Sequence, residues 1–119
     1  MQYLLLIYDS EKARTTTPEA ERQKMFAEYG AFTKDIKASG HFKAGDALQP
    51  THTATTVRVR DGKISTMDGP FAETREQLGG YYLIEAKDLD EATKIAARIP
   101  GARTGSIEVR PVIVFPKAP

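Results

Sequence analysis

One dipeptide, Asp61-Gly62, constrains the fold of this chain more than any other feature. It joins two segments, TVRVR and KIST, in which apolar and polar residues alternate. Asp-Gly between alternating segments is the strongest short signal for a β-hairpin with a two-residue loop. Such a loop sets the register, so Val59 pairs with Ile64 and Val57 pairs with Thr66. We expect these four side chains to lie on the core-facing side of the hairpin.

The remaining sequence predicts four strands and two helices. Residues 2–8 are apolar at both alternating sets of positions, which is typical of a central strand covered on both faces. Thr17 is the expected N-cap of the first helix, with Pro18 at its first position and Gly40 as its C-terminal cap. The elements outside the hairpin are strands over 2–8, 41–48, 80–86 and 106–115, a helix over 18–39, and a helix that begins at Asp88 and is stopped by Pro100-Gly101.

This order predicts an α+β fold. Without the inserted hairpin it is βαββαβ, the pattern of a ferredoxin-like sandwich. Two helices cover only one face of the sheet, yet apolar residues are available for both faces. They are Tyr3, Leu5, Ile7, Tyr81, Leu83, Val112 and Val114. We therefore expect a homodimer, assembled in the manner of a dimeric α+β barrel, in which a second copy covers the free face.

Composition excludes several classes of protein. The chain has 119 residues, enough for one domain with a single core. It has no cysteine, which rules out disulfides and thiolate metal sites. A net charge of +1 offers no electrostatic basis for binding nucleic acid or an anionic membrane. The apolar N-terminal run is too short to span a bilayer, and we expect a soluble cytoplasmic protein.

Three stretches of the sequence resemble a known family. They are residues 54–63, residues 68–86 (DGPFAETREQLGGYYLIEA) and residues 88–92. Together they are similar to the DGPF-motif branch of the YCII-related family, and the resemblance extends along the whole chain. It implies a dimeric ferredoxin-like fold and a bacterial origin. It also implies a gene neighbourhood that often includes an extracytoplasmic-function sigma factor.

The broader family carries a histidine on its first helix and an aspartate after its second helix, often proposed as an acid–base dyad. Counted from Gly40, the histidine position falls on Tyr29. Counted from Pro100, the aspartate position falls on Ile99. Neither residue matches, so the dyad is not carried over to this chain.

Asp68, Glu73 and Tyr29 are the candidate catalytic residues. Two carboxylates brought close together push one pKa upward, which produces an acid and a base in one site. The structural alternative is that Asp68 forms a turn and Glu73 is a cap or is solvated. For Tyr29 the alternatives are packing in the core and hydrogen-bond donation into a cleft.

Gly69, Pro70, Phe71 and Arg75 are the candidate ligand-binding residues. Gly69-Pro70 predicts an unusual backbone, Phe71 is either a core residue or a stacking ring, and Arg75 binds either an anionic group or a neighbouring acid such as Glu76. Each alternative stays open at this point.

The sequence predicts neither a metal site nor a cofactor. The two histidines, His41 and His52, lack a third ligand at a suitable spacing. The leading hypothesis is a small-molecule pocket between the sheet and the first helix, roofed by residues 68–78. It serves either cofactor-free acid–base chemistry of the isomerase or lyase type or ligand sensing. The alternatives are a protein-interaction module of a sigma-factor system and a non-catalytic structural dimer.

Overall fold

Residues 1–116, which the computed structural model describes, form six strands and three α-helices. The bounds are β1 Gln2–Asp9, α1 Glu11–Arg14, α2 Glu19–Ala38, β2 Phe42–Ala47, β3 Thr55–Arg60, β4 Lys63–Asp68, β5 Gln77–Glu85, α3 Leu89–Ala97 and β6 Ser106–Pro111. Two short 3-10 helices cover Thr51–Thr53 and Pro100–Arg103. None of the helices within this part of the chain is both long and apolar enough to cross a membrane.

Four strands form an antiparallel sheet in the order β2-β5-β1-β6. The strands β3 and β4 form a separate two-stranded sheet. This mixed α+β architecture is compatible with the predicted ferredoxin-like sandwich. The central position of β1 agrees with its apolar character on both sets of alternating residues.

The core lies between one face of the four-stranded sheet and the helices α2 and α3. Alternate residues of the central strands enter it, and Leu5 and Ile84 are completely buried. The ring of Phe32 on α2 meets the ring of Tyr82 edge to face, with 5.3 Å between centroids. The buried apolar residues are Tyr3, Leu5, Ile7, Phe32, Ile36, Tyr82, Ile84, Ala86, Ala92, Ile95, Ala96 and Ile99.

The boundaries of α2 follow its sequence signals with one correction. Pro18 is the N-cap residue, so the prediction of Thr17 as the cap is wrong by one position. The Thr17 hydroxyl instead donates to the carbonyl of Ala13, at 3.1 Å, in the preceding turn. At the other end Gly40 has a φ of 82°, and the N–H of the next residue donates to the carbonyl of Ile36 at 3.0 Å. This bond is typical of a Schellman cap and confirms the predicted C-terminal cap.

The hairpin has the predicted turn and register. Asp61 and Gly62 have φ values of 52° and 74°, as a type I′ turn requires, and Val59 pairs with Ile64. The predicted core-facing side is wrong, however, because Val57, Val59 and Ile64 are 60%, 56% and 75% exposed. The turn sets the pairing of β3 with β4 but not the docking of the hairpin onto the rest of the chain.

The projecting hairpin makes the chain an open shape. Its radius of gyration is 16.7 Å, whereas a compact domain of this length has about 13.5 Å. A two-stranded hairpin on its own is marginally stable in water. The apolar side of this hairpin is exposed in the single chain.

The second face of the four-stranded sheet is also apolar at its centre. Leu4 pairs with Leu83 and Leu6 pairs with Tyr81 across β1 and β5, and all four side chains are half-buried. The Tyr81 hydroxyl donates to the carboxylate of Asp46 at 2.7 Å. This face has an apolar centre with a polar edge, which is the usual anatomy of a protein interface.

Candidate functional site

The motif segment, residues 68–76, begins where the hairpin ends. Gly69 has a φ of 93°, which agrees with the predicted unusual backbone at this position. Its N–H donates to the carbonyl of Ala54 at 2.7 Å, and its carbonyl accepts from the Thr56 hydroxyl at 2.8 Å. Asp68, the last residue of β4, is thereby held at the base of the hairpin.

The side chains of the motif segment point to solvent in the isolated chain. Asp68, Glu73 and Arg75 are exposed, and Phe71 is 75% exposed. Within residues 1–116, no hydrogen bond joins Asp68 to Glu73, and Arg75 makes no ion pair. The peptide before Pro70 is trans. The catalytic and ligand-binding roles expected of these residues stay predictions.

An open surface groove of about 480 Å³ lies along α2, and we call it the α2 groove. Its lining residues recur at intervals of three and four along the helix, so they share one side of α2. They are Phe26, Tyr29, Gly30, Thr33, Lys34 and Lys37. One of the three candidate catalytic residues, Tyr29, therefore lines a cavity, while Asp68 and Glu73 do not line this one.

Tyr29 is held by a backbone contact and lies half-buried in the wall of the groove. The N–H of Gly101 donates to the Tyr29 hydroxyl oxygen at 3.1 Å. Burial raises the pKa of Tyr29 above its ordinary value, while the bond from Gly101 acts in the opposite direction. The hydroxyl is therefore neutral at physiological pH. Within residues 1–116 it donates no hydrogen bond.

A pair of hydroxyl groups lies beside Tyr29. The Thr33 and Tyr82 hydroxyl oxygens are 2.7 Å apart, and either one can be the donor. Tyr82 is packed between two rings, since Phe32 and Phe42 both meet it edge to face. Thr33 therefore presents a positioned polar group in the wall of the groove. Thr33 is not predicted by the sequence, because a threonine on a predicted helix has no distinguishing pattern.

Two acids of α2 are paired within the described residues, while two of its lysines are not. Glu28 accepts two hydrogen bonds from Arg103, at 2.8 and 2.9 Å, and these bonds lower the pKa of Glu28. Asp35 pairs with Arg98. Glu28 and Asp35 are thus matched by arginines that follow in the chain. Lys34 and Lys37 on the groove side make no ion pair within the described chain, and the Lys37 ammonium lies 4.8 Å from the ring centre of Phe42.

His41 forms a chain of polar contacts that is structural. Its Nδ1 is 2.7 Å from the Ser39 hydroxyl and its Nε2 is 3.2 Å from the carboxylate of Glu91. The order Ser-His-Glu is that of a catalytic triad, but Ser39 also donates to the carbonyl of Ile36 at 3.2 Å. The carbonyl end of a helix repels a developing oxyanion. These contacts connect the end of α2 to α3.

Glu91 also takes part in the cap of α3. Asp88 accepts from the N–H of Glu91 at 2.9 Å, as in a capping box, and α3 begins where the sequence predicts. The Glu91 carboxylate accepts from the N–H of Lys87 at 3.1 Å rather than from that of Asp88. In the part of the chain that is described, no three His, Asp or Glu side chains are grouped so as to hold a metal ion.

The YCII-related domain profile matches residues 1–116 of this chain. The chain belongs to the YCII-related family. An uncharacterized protein from Rhizobium meliloti (strain 1021) is 37% identical to this YCII-related protein over 117 residues. That alignment covers 97% of this chain and 94% of its relative.

A solved structure has a similar fold. It is the 5-chloro-2-hydroxyhydroquinone dehydrochlorinase of Burkholderia phenoliruptrix AC1100, in complex with 2,5-dihydroxybenzoquinone. The TM-score is 0.56, with 95% of this chain and 94% of the dehydrochlorinase covered. At 16% identity the likeness concerns the fold alone.

Proposed function

We propose that this YCII-related protein binds a small organic molecule in the α2 groove. The observation that carries the proposal is Tyr29, a half-buried donor whose oxygen is held by Gly101 and whose proton is unused within residues 1–116. A concave site with a few positioned polar groups is the usual form of a small-molecule site. The dehydrochlorinase with its bound quinone supports a small molecule as the ligand of this fold.

We further propose that a reaction in this site would be a cofactor-free proton transfer of the isomerase or lyase type. Tyr29 is the donor in that scheme, since burial keeps it protonated at neutral pH. Asp68 and Glu73 are the carboxylates proposed as base. Neither carboxylate lines the α2 groove, so this role requires that the motif segment of a second copy reach the groove of the first.

The location of the site can be tested with two variants. Gly30→Leu places a side chain in the groove, while Asp68→Asn removes the charge of the motif segment. A library of small acids, phenols and quinones is screened by thermal shift, and the affinity of each hit is measured for both variants. We expect hits that lose affinity for Gly30→Leu and keep it for Asp68→Asn.

The reverse pattern would assign the site to the motif segment, as the sequence predicted, and would reject the groove. Hits that bind both variants as tightly as the wild type would reject both locations. Leucine is a better helix former than glycine, and nothing lies within 4 Å of a Cβ built at Gly30, so this variant should fold normally.

We also propose that the protein is a homodimer of the DGPF-motif branch, in which a second copy covers the free sheet face and the hairpin. The half-buried Leu83 at the centre of the sheet face and the exposed Phe71 of the motif segment support this assembly. Leu83→Arg should convert the dimer to a monomer in sedimentation velocity. Thr93→Arg, on the exposed side of α3, should leave the dimer intact. A wild type that sediments as a monomer would contradict the proposal.

A further inference from the structure

We infer that the ligand of the α2 groove is an aromatic carboxylate, an inference that rests on the groove being the binding site. The charge of the groove lining favours an anionic ligand. Lys34 and Lys37 are the charged residues of the lining, and no carboxylate belongs to it. Within residues 1–116 neither ammonium is neutralised by an ion pair, in contrast to the carboxylates of Glu28 and Asp35.

The apolar surface of the groove favours a planar ligand. Phe26 stands at the groove and is 82% exposed, so its ring is accessible to a ligand. The half-buried ring of Tyr29 lies one turn further along the same side. A planar ligand can contact both rings, because aromatic faces and edges attract one another over short distances.

A glycine, Gly30, lies between Phe26 and Lys34 along the groove. Gly30 lies in the middle of α2, where glycine is less favourable than alanine. A Cβ at this position would meet no atom within 4 Å, so packing within the chain does not require glycine. Its effect is to keep the groove open between the ring of Phe26 and the ammonium of Lys34. The space therefore favours a planar ligand that reaches from the aromatic rings to the two lysine ammonium groups.

The carboxylate of the proposed ligand has binding partners at the end of the groove that Lys34 and Lys37 line. Lysine presents an ammonium that binds an oxyanion as a point charge. The paired hydroxyls of Thr33 and Tyr82 and the hydroxyl of Tyr29 are neutral polar groups nearby. A volume of about 480 Å³ accommodates a ligand with one or two fused rings.

The test compares 2-naphthoate with 2-naphthamide, which has the same rings and no charge. Isothermal titration is performed on the wild type, on Lys34→Gln/Lys37→Gln and on a control variant, Lys24→Gln. Lys24 lies on α2 outside the groove lining. We expect the wild type to bind naphthoate roughly ten-fold more tightly than naphthamide, with the preference falling as salt rises.

The double variant should lose this preference and Lys24→Gln should keep it. Equal affinities of the wild type for the two compounds, or an unchanged preference in the double variant, would overturn the inference and leave the groove as a site for neutral ligands. Loss of both compounds in Gly30→Leu locates the binding. If Gly30→Leu binds both compounds as the wild type does, or if neither compound binds the wild type, the inference fails. The proposal that the groove is the binding site then fails with it.

Discussion

Replacing Gly101 by alanine gives the most direct test of how Tyr29 is held. Gly101 is buried in the 3-10 helix after α3, and a Cβ there would lie 2.6 Å from the Tyr29 hydroxyl oxygen and 3.3 Å from Cγ2 of Ile7. A contact of 2.6 Å forces the tyrosine ring to move. Overpacking of this kind destabilises a protein by about 1–3 kcal/mol.

Tyr29→Phe relieves that contact because it removes the oxygen. In the wild-type background the same change leaves the Gly101 N–H without its partner, which costs about 1–3 kcal/mol. In the Gly101→Ala background, the loss of the oxygen also removes the overlap with the added methyl group. The double variant should therefore be less destabilised than the sum of the single variants, by about 1 kcal/mol or more.

Urea denaturation followed by circular dichroism measures all four proteins at one protein concentration, since association affects apparent stability. Gly30→Ala is the matched control, because its new Cβ meets no atom within 4 Å and should raise stability. Additive single-variant effects, within about 0.5 kcal/mol, would refute the proposed contact between Tyr29 and Gly101.

Two further predictions concern the motif segment and alkaline pH. Gly69→Val should destabilise the protein by about 1 kcal/mol or more, because valine is strained at a φ of 93°. Thr66→Val on β4 is its control, and equal melting temperatures would contradict the strain. Because burial raises the pKa of Tyr29 in the folded state, the associated stability is present below about pH 10 and is lost as the pH rises through the folded pKa. Stability of Tyr29→Phe should therefore fall less steeply above about pH 10, and parallel pH profiles of ΔG of unfolding would argue against it.

The elements that the sequence predicted well have local causes. The pairing of Val59 with Ile64 follows from the turn at Asp61-Gly62, and the cap at Gly40 follows from its backbone conformation. The exposed position of the hairpin depends on how it joins the sheet, and alternation in a strand does not carry that information. The sequence pattern can identify an apolar side but cannot identify what covers it.

The same distinction explains the outcome for the candidate site. Tyr29 was selected because the histidine position of the family, counted from Gly40, falls on it. Thr33 and Lys34 were not found, since both are ordinary residues on the outer side of a helix. Gly30 could have indicated the groove, because glycine is unfavourable in the middle of a predicted helix and its presence there needs an explanation. Asp68 was selected because it begins the DGPF motif. The motif indicates the family but not whether the side chain is exposed.

The separation of the hairpin from the sandwich has a consequence for how the protein can change. Its outer residues Val57 and Ile64 contribute little to the core between the four-stranded sheet and the helices. Substitutions there can therefore alter the surface that the chain presents without unfolding the chain. The outer side of the hairpin can therefore be engineered, or can drift, with little effect on the core of the sandwich.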